Sequence, residues 1–476
     1  MDREPQQNHN PSPATGLGQG PQLPLEILRM VMETIGMGLE GKIMFGLMRD
    51  TRDRKQTQTT LRSAMMVNKT WASEAIRVLW KHPTVKALSR IEDRNRRQFY
   101  AGYVEKLQLS YCHAFTRVSD ERVGAYSKLE KVELPRLKRV SLKYFYGEGE
   151  DVGLGVDSCI VSSLEEVEFQ GSYPDEDLIY LLQDRCSNLR RIAFEVRGFV
   201  YSDSGHNELA EFIRSYNYKS LRSIYLYSEE IQQVEAHEEI LPQEENAERF
   251  ILSRTAHDEQ LLTSLANRDG LEELEMNTLF RFGTYKKVLK HIGQPFKDLR
   301  KFTFHTQAMP ASFLISKLNP NSLTSLEISI DDIFLEVNPL PEFGRLVNLR
   351  NLQITYMQDK TLEKFPTSDL LPLKNLKHLR QLLICGDFPL SSKMTDDEFI
   401  PLVEHWPELE ELQLDVDCDF STATLTSLGQ HCPRLKSISI SGLFDLIDWI
   451  DISRPLFPHL HQLTLVDLVD KEGESR

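Results

Sequence analysis

One pattern recurs through most of this 476-residue chain and limits what it can become. An apolar residue is followed, after two others, by a second, and after one more by a third. The pattern begins at Val104/Leu107/Leu109. It returns at Leu129/Val132/Leu134, Leu137/Val140/Leu142, Leu164/Val167/Phe169, Leu189/Ile192/Phe194 and Leu221/Ile224/Leu226. After an interruption come Leu271/Leu274/Met276, Leu299/Phe302/Phe304, Leu323/Leu326/Ile328 and Leu349/Leu352/Ile354. The last copies are Leu379/Leu382/Ile384, Leu409/Leu412/Leu414, Leu435/Ile438/Ile440 and Leu460/Leu463/Leu465. Most neighbouring copies start 24 to 32 residues apart. Those at 129 and 137 are too close to be two turns of one array, so one of them is expected to be a loop or a local hairpin.

The last two apolar positions of each copy alternate as on a short strand with one buried face. The first starts the turn onto that strand. Several intervals read as helices: Asp175 to Asp184 carries Leu178, Leu181 and Leu182, and Asp396 to His405 carries Phe399, Leu402 and Val403. Thr422 to His431 carries Leu425 and Leu428. A strand and one helix cannot bury a core alone, so each copy must stack on the next. Signature and period are those of the leucine-rich repeat. The expected fold class is α/β: a short all-helical module, then a leucine-rich-repeat solenoid over 101–466. Its parallel strands line the concave face and its helices the convex face.

The helical module is expected at 22–83, after a polar tail at 1–21 rich in Pro, Gly, Gln and Asn. It opens Leu23-Pro24-Leu25-Glu26-Ile27-Leu28, with Pro24 suited to the first turn of a helix. Ile27, Leu28, Val31, Met32 and Ile35 share one face. It closes with Val67, Trp71, Ala75 and Leu79 in one stripe, ended by Pro83. These halves resemble the F-box in the form common in fungal proteins, through Leu23, Pro24, Glu26, Ile27, Leu28, Val67, Trp71, Leu79 and Trp80. The sequence departs from that family in the 36–60 insertion between the halves. There Lys42 to Met48 reads as an inserted or displaced helix and Arg49 to Thr60 as a polar loop. A helical linker follows at 84–100.

The resemblance implies a three-helix module that binds the adaptor subunit of SCF-type ubiquitin ligases, and through it a cullin. Leu23, Pro24, Ile27, Leu28 and Trp71 are the expected adaptor-binding residues. Which of them touch the adaptor and which form the module's own core stays open. Two repeats, around Cys186 and Cys432, are similar to the cysteine-containing repeat often found in F-box proteins, where that cysteine is a buried small residue. At Trp406 the cysteine is replaced.

Other classes are disfavoured. The net charge of −15 suits neither nucleic acid nor an anionic membrane. No apolar run approaches a membrane span, and a secretory leader is not apparent. Six scattered cysteines without Cys-x-x-Cys suggest neither zinc nor a disulfide framework, so a cytoplasmic or nuclear location is expected. No phosphate loop, nucleophile elbow or zincin motif occurs. Asp415, Asp417 and Asp419 share a strand face but lack the Gly and Glu of a calcium loop. His459 and His461 have no third ligand nearby. No cofactor, metal or catalytic residue is expected.

What remains is recognition. Residues between the inward leucines line up from strand to strand on the concave face. Tyr225, Tyr227, Glu273, Glu275, Lys301, His305, Gln353 and Gln413 are the expected contacts for a protein substrate. An acidic insertion at about 228–268 interrupts the period. It reads either as an acidic helix or loop or as a degenerate repeat, and either as a solvated segment or as a contact for a basic partner. The expected function is substrate recognition in an SCF-type (cullin–RING) ligase, with catalysis left to other subunits. The alternative is an interaction scaffold acting without a cullin. At the far end, with 467–476 as a tail, the last strand is expected to stay partly open or to be closed by Asp467 to Val469 folding back.

Overall fold

The computed structural model describes residues 23–36, 51–110, 128–129, 131–143, 156–171, 176–196, 213, 220–228, 258–277, 280, 282–330, 339–357, 367–386, 390–445 and 455–468. The chain divides into two compact units, 1–106 and 107–476. Their charge differs in sign. The first holds 17 of the 56 basic and 11 of the 71 acidic residues and is positive by 6; the second, with 39 and 60, is negative by 21.

The first unit starts with helices α1 (Leu25–Gly36), α2 (Thr51–Met65) and α3 (Lys69–Leu79). Leu28 and Met32 of α1, Leu61 and Ala64 of α2, and Ala75 and Val78 of α3 form its buried core, with Ile35, Met65, Trp71 and Leu79 packed against it. The polar loop expected over Arg49 to Thr60 is therefore corrected from Thr51 onward: it is most of α2. The stretch Lys42 to Met48 lies outside the described residues. Asn68 caps α3 by accepting from the Trp71 N–H at 2.9 Å. Two short helices follow, α4 (Val85–Ser89) and α5 (Arg94–Ala101), capped by Thr84 and Asp93. Trp80, at the end of α3, stacks on Tyr100 of α5 with ring centroids 4.4 Å apart.

The second unit is a leucine-rich-repeat solenoid. Its 13-stranded sheet runs in chain order, β1-β2-β3-β4-β5-β6-β7-β8-β9-β10-β12-β14-β15. These strands are β1 (Lys106–Ser110), β2 (Arg139–Lys143), β3 (Glu166–Gly171), β4 (Arg191–Val196), β5 (Ser223–Ser228), β6 (Glu273–Asn277) and β7 (Lys301–Thr306). The remainder are β8 (Ser325–Ile330), β9 (Asn351–Tyr356), β10 (Gln381–Gly386), β12 (Glu411–Leu414), β14 (Ser437–Phe444) and β15 (Gln462–Leu468). The close pair of copies resolves: Leu137/Val140/Leu142 belongs to β2, while Leu129/Val132/Leu134 is a buried turn. The described pairings are parallel and in step, so Leu274, Phe302, Leu326, Leu352, Leu382, Leu412, Ile438 and Leu463 form one row. A second sheet, absent from the sequence expectations, pairs β11 (Leu390–Thr395) with β13 (Val416–Asp419).

One hydrogen-bond device joins successive repeats. A carbonyl just before each strand accepts two backbone N–H groups of the next repeat: Glu272 O takes those of Arg300 and Lys301, and Arg300 O those of Thr324 and Ser325. The helical layer has its own. Cys186 Sγ donates to Val161 O and Cys432 Sγ to Val403 O, one repeat back. Trp406, in place of the cysteine, does the same with its indole N–H to Leu373 O at 3.0 Å. Burial pushes both thiols up, to about 12, so neither is a nucleophile at neutral pH.

The acidic insertion divides. Its first part lies outside the described residues. From 258 it is a helix whose buried Leu261, Leu262, Leu265 and Ala266 return the chain to β6 as an ordinary repeat does. At the other end, Asp467 and Leu468 do not fold back; they continue β15, with Leu468 opposite Phe444 of β14. The inward row is only half covered there, with Leu463 41% exposed.

Candidate functional site

Two surfaces carry the residues expected to bind partners. The first is on the helical module. Arg29 of α1 reaches Glu74 of α3, and Glu33, one turn on, reaches Arg77, also one turn on. Helices α1 and α3 therefore run in the same direction, and the start of α1 lies at the same end as the α2–α3 turn. That end is apolar and exposed. Leu23 is 49% exposed, Ile27 40% and Met66 86%, and Leu25 and Val67 are exposed with them; Met30, halfway along α1, is exposed too. The open question about the five expected residues is answered by burial. Leu23, Pro24 and Ile27 face solvent; Leu28 is 1% exposed and Trp71 packs against the core. Leu28 falls on the core side of that question, buried in one cluster with Met32, Leu61 and Ala75. Met30, Met66 and Val67 escaped the expected list. The first two lie outside the motif, and Val67 was assigned to the buried stripe of its helix.

The module holds this end open on a polar brace. Glu74 is buried beside α1 yet accepts from Arg77 Nε at 2.9 Å and Arg29 Nε at 3.3 Å. Glu33 accepts from both Arg77 and Lys81, and these hydrogen bonds hold its carboxyl below the usual range.

The second surface is the solvent-facing side of the sheet, where every expected contact residue is half-buried. Strand register brings four of them together. Ser223, Glu273, Lys301 and Ser325 form one row across β5–β8, and Tyr225, Glu275, Thr303 and Glu327 form the next. Tyr225 is the anchor. Its hydroxyl donates to Glu273 Oε2 at 2.7 Å, and the Arg191 guanidinium lies 4.1 Å from its ring centroid. Burial, then the Glu273 hydrogen bond, pushes its phenol up. Burial also pushes the Glu275 carboxyl up to about 7, aided by Glu327 and opposed by Lys301 and Arg191. Tyr227 and His305 sit one row further out, with Asn277 between them in register and 2.7 Å from His305 Nδ1. Gln353 on β9 and Gln413 on β12 share the Glu275 row but not the cluster. Gln413 is five strands from Glu275, about 24 Å at ordinary strand spacing, and it donates to Asp415. Arg191 and Glu327 also belong to the cluster; the spacing places both on the same solvent-facing ladder, and register is what brings them beside Tyr225 and Glu275.

Among the described residues no group of His, Cys, Asp or Glu could hold a metal, and no helix is long and apolar enough to cross a membrane. Asp415 is occupied by Gln413 and Asp419 is exposed, while Asp417 carries no side-chain description.

These features define a class, a leucine-rich-repeat array preceded by a three-helix module. No protein-family model matches the chain. Among solved structures it is similar to a chain in the crystal structure of the Rad7 and Elc1 complex in yeast, at 13% identity over 92% of each chain and a TM-score of 0.39.

Proposed function

We propose that the chain is the substrate-recognition subunit of an SCF-type (cullin–RING) E3 ubiquitin ligase. The three-helix module docks on the adaptor, and the repeat array holds the target protein. One observation carries the first half: five exposed apolar side chains at one end of the module, with exposed Met30 further along α1, on a module otherwise braced by ion pairs. A module this small has no surface to spare for them, and such patches mark sites that a partner covers. The second half rests on the polar, half-buried sheet face, whose rigid parallel spacing suits side-chain recognition. The chain would do no chemistry. Its contribution is proximity, since a held target meets the charged ubiquitin carrier at raised effective concentration.

The test is affinity purification of tagged full-length chain beside an Ile27→Ser/Met30→Ser form. Both positions are exposed, so stability should change by no more than about 0.5 kcal/mol. Adaptor and cullin should accompany the parent chain and vanish with the variant. Adaptor without cullin would favour the scaffold alternative. Equal recovery with both chains, or recovery of neither partner, would overturn the docking role of this surface.

A further inference from the structure

The sheet face between β4 and β8 is satisfied on one side and not on the other. Around Tyr225 every group has a counterpart: Arg191 over the ring, and Glu273 taking hydrogen bonds from the Tyr225 and Ser223 hydroxyls. That side already holds a guanidinium against an aromatic ring. One strand further along, two carboxylates have no direct partner among the described residues. Glu275 and Glu327 lie in one row on either side of Thr303, with Cα atoms about 10 Å apart at two strand spacings. Thr303 between them has a short side chain that fills little of that spacing. Both carboxylates are half-buried, and among the described residues neither makes a hydrogen bond or an ion pair. Lys301, one row away, lowers the cost of charge on Glu275 without pairing with it.

We propose that this face docks a basic segment of the target protein, with one Lys or Arg side chain of the target entering between Glu275 and Glu327 over Thr303. The inference rests on the target-holding role assigned to the array above. Charge complementarity selects the occupant. An apolar segment would bury two unpaired carboxylates, which costs more than the contact returns. An acidic segment would add to the repulsion that Glu327 and Glu273 already exert on Glu275. A cation bridging the two carboxylates removes that repulsion, and the array's negative charge of 21 draws basic partners toward it. Tyr225, on the next strand, supplies the aromatic contact that anchors most recognition sites.

The groups facing Glu275 are Glu327, Glu273, Lys301, Arg191 and the Tyr225 phenol. Burial is the largest influence, and the carboxyl sits at about 7. A cation therefore binds better as pH rises. From about pH 6 to about pH 8 the ionised fraction climbs from roughly a tenth to roughly nine-tenths, so affinity should rise about tenfold.

The probe is a phage-displayed library of random peptides of about twelve residues, panned on the full chain. Enriched peptides should carry Lys or Arg. Glu275→Gln/Glu327→Gln should weaken a selected peptide by about tenfold or more and flatten its pH dependence. Glu411→Gln, on the same face but far along the sheet, should leave it unchanged. Thr303→Lys should place an ammonium between the two carboxylates and block the peptide while keeping the array folded, which separates occupancy from misfolding. Enriched peptides without basic residues, basic peptides indifferent to both variants, or no enrichment at all would overturn the proposal. Peptide affinity needs no adaptor and adaptor recovery needs no peptide, so each reading can fail alone.

Discussion

The helical module and the repeat array solve opposite problems. The module buries a charge beside its apolar core and leaves grease outside: Glu74 is buried, while Ile27, Met30 and Met66 face water. The array does the reverse, with Leu, Ile and Phe rows inside and Tyr, Glu, Lys and Gln on its open face. Even their net charges oppose, +6 against −21. The contrast teaches what each surface is for. An apolar end gives affinity for one partner that always covers it. A charged, half-buried face gives selectivity, because any partner that fails to match it leaves buried carboxylates unpaired.

The contrast can be tested within the array itself. Leu412 and Leu463 occupy the same row two strands apart, one fully buried and the other 41% exposed. Leu412→Ala should cost about 3 kcal/mol and loosen the neighbouring repeats first, since each is held only by the next. Leu463→Ala should cost well under 1 kcal/mol by the same reasoning. Urea unfolding with hydrogen exchange would measure both. Equal losses would mean that β15 is covered in solution and that the array has no open end. The module comes second. Glu74→Ala removes the buried carboxylate that joins Arg29 and Arg77, leaving Arg77 with Glu33 alone, and should cost about 2 kcal/mol, confined to amides of α1–α3. A global loss would mean that the brace stabilises more than the module.

The array was legible because its signal is repeated. Any single Leu-x-x-Leu-x-Leu is ambiguous, yet copies at near-constant spacing can be satisfied only by stacking. Helix α2 was illegible for the opposite reason. Its run Thr51-Arg52-Asp53-Arg54-Lys55-Gln56-Thr57-Gln58-Thr59-Thr60 offers no apolar stripe, and Leu61 and Ala64 complete the core only once α1 and α3 are in place. The β11–β13 pair was hidden likewise, because Leu390-Ser391-Ser392-Lys393 has no alternation. Of the binding surfaces, the ladder on the sheet face could be read, but its active cluster could not. Arg191 stands far from Tyr225 in sequence and over its ring in space. On the module, the motif names residues without saying which side of the helix each faces, so Leu28 and Ile27 looked equivalent.

The pH dependence is the most diagnostic effect for the sheet face. The folded chain holds the Glu275 carboxyl at about 7, against an ordinary 4.5. Across that window the folded state keeps a proton that the unfolded chain has released. Stability should therefore fall as pH rises through it and level off above about 7. Taken at face value the shift is worth about 3 kcal/mol; contact with solvent reduces this to about 1–2 kcal/mol. Glu275→Gln removes the slope. Its urea midpoint for the array should match the parent near the bottom of the window and exceed it above the top. Asp396 offers the opposite sign in the same molecule. Burial alone would raise its pKa, but hydrogen bonds from the Ser421 and Thr424 hydroxyls and the Ser421 N–H outweigh it and lower it. Its contribution is present at neutral pH and is lost only as pH falls into the acid range. Parallel pH profiles for parent and Glu275→Gln would mean that Glu275 is not strained in the free chain, and the two carboxylates would then have no reason to seek a cation.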